Sequence, residues 1–120
     1  MARGQRVVVG RSDSLVDGGD GARFTVDRAG HAHSAFAIRF GGRVYAYLNR
    51  CAHVGVELDW QAGRFFDADG MVLICSTHGA VYDPATGECR GGPCRGAGLE
   101  PVAVEEIDGQ VVLTTKGDGS

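Results

Sequence analysis

Two short segments constrain what this chain can fold into more than any other feature: Cys51-Ala52-His53 and Cys75-Ser76-Thr77-His78. Each pairs one thiol with one imidazole, and each runs directly into a glycine-containing loop, "CAHVG" and "CSTHG". Lone cysteines are commonly buried and lone histidines commonly lie at the surface, so neither habit accounts for the pairs. Two loops of this kind converging on one point offer two sulfur and two nitrogen ligands. That set suits tetrahedral zinc, or a two-iron cluster with both cysteines on one iron and both histidines on the other. Zinc knuckles usually carry two cysteines together, whereas here each loop carries one ligand of each type.

Around these loops the pattern is strand after strand. "QRVVVG" opens the chain and "ARFTVDR" follows. "SAFAIRFGGRVYAYLN" reads as two strands about a Gly41-Gly42 turn, with Phe36, Ile38 and Phe40 on one face of the first. "DADG" is a turn leading into "MVLICS", and "GAVYD" precedes the turn "PATG". "PVAVEEIDGQVVLTT" closes as a second hairpin about Asp108-Gly109. The helical content expected is a turn near "GVELDW". The section from about 49 to 98 is rich in Gly, Cys and His and does not read as core, so something besides apolar burial is expected to hold it together.

At 120 residues the chain is one domain, 1–120, with room for a single core. A formal net charge of −3 without blocks of like charge speaks against nucleic acid or an anionic membrane as partner. Neither a secretory h-region, a twin-arginine signal nor a transmembrane stretch is visible. The expectation is a cytoplasmic, soluble monomer, and four cysteines interleaved with histidines then point to metal before disulfides.

In its paired C-x-H and C-x-x-H loops the sequence resembles the Rieske [2Fe–2S] family. The likeness continues through "HGAVYDPATGECRGGP" and the final hairpin. It implies an all-β antiparallel sandwich or barrel with an inserted cluster-binding subdomain at roughly 49–98. It also implies one [2Fe–2S] cluster: Cys51 and Cys75 as thiolate ligands of the inner iron, His53 and His78 as imidazole ligands of the outer. Gly79, Ala80, Tyr82 and Pro93 would surround it, Pro93 in a third loop covering the cluster. Members in cytochrome complexes carry a disulfide across the cluster at positions matching Val56 and Thr77, so that bridge is absent. They also place a serine hydroxyl on a bridging sulfide, where this chain has Ala80, and a tyrosine hydroxyl on a cysteine sulfur, which Tyr82 matches. Hydrogen bonds to cluster sulfurs raise the potential. One donor lost and one kept implies the lower part of the Rieske range, roughly −150 to 0 mV.

Other features read more plainly. Cys89 and Cys94 are expected to be reduced, packed thiols, because a short loop offers little entropic gain from crosslinking. His31 and His33 are expected as surface residues on a turn before a strand, and Trp60 as packing beneath the cluster. Val54, Val56, Ala80 and Pro93 would form an apolar rim suited to transient docking. The function implied is one-electron transfer from a reductase to a terminal oxygenase, with no catalysis by the chain itself. No histidine follows His78, so the two-histidine facial triad of an oxygenase has no candidates. A fixed small subunit of a nitrite-reductase-like assembly and a zinc-stabilised binding module are the alternatives.

Overall fold

A computed structural model describes residues 7–28, 30–50, 58, 63–67, 69–75, 79–92 and 97–114. Its strands are β1 (Val7–Arg11), β2 (Ala22–Arg28), β3 (His31–Phe40), β4 (Arg43–Leu48), β5 (Leu73–Ile74), β6 (Val81–Tyr82), β7 (Cys89–Gly91), β8 (Val104–Ile107) and β9 (Gln110–Leu113). They form three antiparallel sheets, ordered β1-β9-β8, β2-β3-β4 and β5-β6-β7. The architecture is all-β, as expected, with one 3-10 turn at Ser12–Ser14 among the described residues. The turn expected near "GVELDW" lies outside them except for Leu58, which sits in a bend.

Local chemistry sets the two long hairpins. Gly41 and Gly42 have φ of 61° and 82°, and Asp108 and Gly109 have φ of 51° and 77°. Two consecutive left-handed residues make the type I′ turn, whose twist matches that of the flanking strands. The pairings Phe40↔Arg43 and Ile107↔Gln110 follow directly. Sheets β2-β3-β4 and β1-β9-β8 join where Leu48 N–H donates to Glu100 O (2.9 Å) and Val102 N–H to Ala46 O (2.9 Å). Arg39 ties the other end: Nε donates to Leu15 O (2.9 Å), Nη1 to Gly42 O (3.0 Å), and Nη2 to Ser12 O (2.9 Å) and Glu106 Oε2 (2.6 Å).

The middle of β3 is buried on both faces: Ala35, Phe36, Ala37 and Ile38 are each 0% exposed. Phe36 and Ile38 pack with Tyr47, Phe65, Leu73, Cys75, Ala80 and Tyr82. On the opposite face, Ala35 and Ala37 pack with Leu15, Val26, Ala46, Val102 and Val111. The sheet β2-β3-β4 is therefore a wall between two cores. This corrects the expectation that the middle section lacks a core. Its few apolar residues are scattered singly between glycines, but they meet the aromatic face of the wall. His31 and His33 are also placed differently: they lie in β3 itself, opposite Arg28 and Val26. His31 is exposed and His33 half-buried.

Candidate metal centre

The second Cys/His segment begins where β5 ends. β5 is held on one side by Ile74 N–H to Phe65 O (2.9 Å) and on the other by β6 through Leu73↔Tyr82 and Ile74↔Val81. Cys75 comes next. Its N–H donates to Ala80 O (2.8 Å), and its carbonyl accepts from Gly79 N–H (2.9 Å). Those two bonds join Cys75 to Gly79 and Ala80 and fix the Cys75 backbone between them. The side chain is not disulfide-bonded and is fully buried beside Leu73, Ala80 and Tyr82. Beneath it the rings of Phe36 and Phe65 stack at 4.0 Å and 11°, with Tyr47 6.0 Å from Phe36.

The first loop is anchored by a residue that sequence reasoning passed over. Asn49, 3% exposed, follows β4 and donates its own N–H to Ser34 O (2.8 Å). Its Oδ1 accepts the N–H of fully buried Leu58 at 2.8 Å. One amide side chain thus pins both ends of the segment carrying Cys51 and His53. The available signal was a single polar residue at the end of an apolar strand, immediately before the C-x-H pair.

The turn after β6 is set by Asp83. Its Oδ1 accepts from the amides of Ala85 (2.8 Å) and Thr86 (3.2 Å), and its Oδ2 from Arg90 Nη1 (2.6 Å). Burial alone would raise this carboxyl, but those donors outweigh it and hold Asp83 below the usual carboxylate range. The turn rests on the wall, because Tyr47 Oη donates to Pro84 O at 2.8 Å. Burial first, and the Asp83 charge second, push the Tyr47 phenol above its ordinary value, so it remains a donor. Gly87 fits against this ring because a Cβ there would lie 2.8 Å from Tyr47 Cε1.

Of the residues singled out in the sequence, Cys75, Gly79, Ala80 and Tyr82 meet at this place. Ala80 and Tyr82 are fully buried and Gly79 is exposed. Cys51, His53, His78 and Pro93 lie outside the described residues, as do Val54, Val56, Trp60, Thr77 and Cys94. Cys89 corrects an expectation. It lies in β7 opposite Tyr82, and it is disulfide-bonded, not a packed thiol. Cys75, the other described cysteine, is not disulfide-bonded. The expectation weighed loop entropy, whereas bridging is decided by whether backbone geometry brings two sulfurs together. Among the described residues no cluster of three or more His, Cys, Asp or Glu side chains is placed to hold a metal.

A protein-family description of the Rieske [2Fe-2S] domain matches residues 5–117. The chain belongs to the Rieske [2Fe–2S] family. Its cofactor is accordingly a Rieske-type [2Fe–2S] cluster, which sets aside the zinc-stabilised module. The local chemistry fits: a cysteine side chain outside any disulfide and shielded from water at a strand end offers the soft sulfur donor that an iron–sulfur centre takes. No curated protein matches the sequence. Among solved structures, the ferredoxin of carbazole 1,9a-dioxygenase from Nocardioides aromaticivorans IC177 is similar over 92% of this chain and 97% of its own, at 24% identity and a TM-score of 0.68. A chain from the complex of reduced oxygenase and oxidized ferredoxin in carbazole 1,9a-dioxygenase is similar over 96% and 97%, at 23% identity and a TM-score of 0.70. Apo dicamba monooxygenase is similar over 92% of this chain but 33% of its own, at 22% identity and a TM-score of 0.67. These likenesses show that the Rieske fold extends over nearly the whole chain. No helix among the described residues is long and apolar enough to cross a membrane.

Proposed function

We propose that this Rieske protein is a one-electron carrier, a cytoplasmic monomer that takes an electron from a reductase and passes it to a terminal oxygenase. It catalyses no reaction itself. Cys51 and Cys75 bind the inner iron through thiolates, and His53 and His78 bind the outer iron through imidazole nitrogen. The domain is 1–120, with the cluster-binding part at roughly 49–98. When bound, the cluster supplies a centre that gains and loses a single electron, at a potential raised by the two neutral imidazoles. The chain's own part is to hold one face of that centre dry. Cys75, Leu73, Ala80 and Tyr82 are all fully buried against the Phe36 face of the wall.

The observation that carries the reading is Cys75: a fully buried cysteine outside any disulfide, at a strand end where two backbone hydrogen bonds join it to Gly79 and Ala80. Similarity to a dioxygenase ferredoxin over 97% of that protein's length supports a carrier more than an oxygenase. The test is visible absorption and low-temperature EPR of the isolated and dithionite-reduced protein, with iron and sulfide assayed on the same sample. A brown protein with two irons, whose reduced signal has an average g well below the free-electron value, is expected. His53→Ala and His78→Ala should lose the cluster or hold it weakly while the β signature in circular dichroism persists. Either variant keeping the parental cluster spectrum would overturn the ligand assignment.

A further inference from the structure

Gly92 follows β7 and opens the third loop, and it sits directly on the second. Its φ is +85°. A Cβ built there would lie 2.9 Å from Gly79 O, 3.0 Å from Ala80 Cα and 3.3 Å from Gly79 C. All three neighbours are backbone atoms. They cannot swing aside as a flexible side chain would, because Ala80 O accepts from Cys75 N–H and Gly79 N–H donates to Cys75 O. The adjacent Val81 is held between Ile74 of β5 and Gly91 of β7. Any displacement of Gly79 and Ala80 is therefore passed to the Cys75 backbone.

We infer that Gly92 is a positioning residue for Cys75: its bare Cα lets the backbone at Gly92 lie flat on Gly79–Ala80, and that seat holds the bonds from Gly79 and Ala80 to Cys75 in place. This rests on reading Cys75 as a cluster ligand. Gly91 makes the contrast inside the same strand end, since a Cβ there meets nothing within 4 Å and its φ is not positive. Gly109 makes the second contrast. Its φ of +77° is as demanding, but a Cβ there also meets nothing within 4 Å. Backbone strain occurs at both 92 and 109, whereas contact with the ligand loop occurs at 92 alone.

The experiment compares Gly92→Ala, Gly91→Ala and Gly109→Ala as holoproteins. It reads the rate at which a chelator bleaches the cluster, the midpoint potential and the melting temperature. Gly92→Ala is expected to lose its cluster on the order of tenfold faster, the scale set by forcing alanine into the left-handed region, and to show a displaced midpoint. Gly91→Ala should match the parent in both cluster readouts. Gly109→Ala should melt earlier while its midpoint and bleaching rate stay parental. If Gly92→Ala does not fold, Gly92→Asn takes its place, because asparagine tolerates positive φ yet carries the same Cβ. A variant at 92 with parental midpoint and bleaching rate overturns the seat. So does a Gly109→Ala that loses its cluster as fast as Gly92→Ala. An iron-free parent would instead refute the carrier reading, so the two failures are distinguishable.

Discussion

Replacing Asn49 by alanine should loosen the segment carrying Cys51 and His53 at its root. The Leu58 N–H would lose the Oδ1 acceptor now 2.8 Å away, in a place where Asn49 is 3% and Leu58 0% exposed. Water does not reach the orphaned donor in the native packing, so the cost is the desolvation of one buried polar group, about 1–3 kcal/mol. For a chain of this length that corresponds to a fall in melting temperature of roughly 4–12 °C, at about 4 °C per kcal/mol. Circular dichroism melting of the holoprotein measures it, and chelator bleaching run in parallel should speed up because the loop ends are no longer pinned. Asn49→Asp separates the hydrogen bond from the side-chain volume. An aspartate keeps an acceptor oxygen, but burial raises its pKa above the unfolded value. Its folded form then holds a proton that the unfolded chain releases, so stability declines as pH rises above the ordinary carboxylate range. The aspartate variant should approach the parent near pH 5 and fall away towards pH 8. An Asn49→Ala protein within about 0.5 kcal/mol of the parent, or an aspartate variant equally unstable at every pH, would refute the pin.

Phe36→Ala removes the ring stacked 4.0 Å from Phe65 and should cost about 3–5 kcal/mol by denaturant unfolding, a large share of a total of about 5–15 kcal/mol; a loss below about 1 kcal/mol would show that the wall does not bear the second core. The bonds from Arg39 first, and from the Ser12 hydroxyl second, lower the Glu106 pKa in the folded state, so its stabilisation is present above the ordinary glutamate value and disappears as pH falls through the lowered one. Glu106→Gln should consequently melt earlier at neutral pH and show a shallower loss of stability below about pH 4.5; an unchanged acid limb would count against the Arg39 anchor. Ala80→Ser places a hydroxyl in a fully buried position matching the serine donor of higher-potential relatives, and should raise the midpoint on the order of 50 mV, the one-electron equivalent of about 1 kcal/mol. A midpoint that stays or falls in a protein-film titration would reject that account of tuning.

What the sequence made legible was chemistry that acts locally. The type I′ hairpins announced themselves through Gly41-Gly42 and Asp108-Gly109, and β2 runs from Ala22 to Arg28 as its alternation implies. What stayed hidden depends on partners far away in the chain. β7 has neither β-branched residues nor alternation in Cys89-Arg90-Gly91. It is a strand because β6 lies on one side, while on the other Glu88 bridges Gly98 and Cys89 N–H donates to Ala97 O. The second face of β3 escaped for a different reason. Ala35, Ala37 and Ala46 are too small to signal burial, yet they are what lets the opposing sheet approach the wall. The pairing of Cys and His in each loop was legible because no packing role calls for it. Asn49 was not, because a lone polar residue at a strand end looks like an ordinary turn former.

The wall between two cores also changes what the metal has to do for the fold. Loops with no apolar support would owe their stability to the cluster, as zinc fingers owe theirs to zinc. Here the loop carrying Cys75 is part of a packed layer with Phe36, Ile38, Phe65, Leu73 and Tyr82, all fully buried, and the 83–87 turn is bonded to Tyr47. The apolar burial that drives this layer together does not depend on iron. The apoprotein should therefore keep both the wall and the Phe36 core. Its backbone amides in β3 and β4 should stay protected from hydrogen exchange, and so should those of Cys75 and Gly79, whose bonds close the ligand loop. The alternative, in which the cluster organises the second core, requires the Cys75 and Gly79 amides to exchange freely once iron is removed while β3 remains protected. Exchange measured on apo and holo protein at one pH separates the two. A protected ligand loop in the apoprotein would mean that the buried cysteine is held in place before its metal arrives.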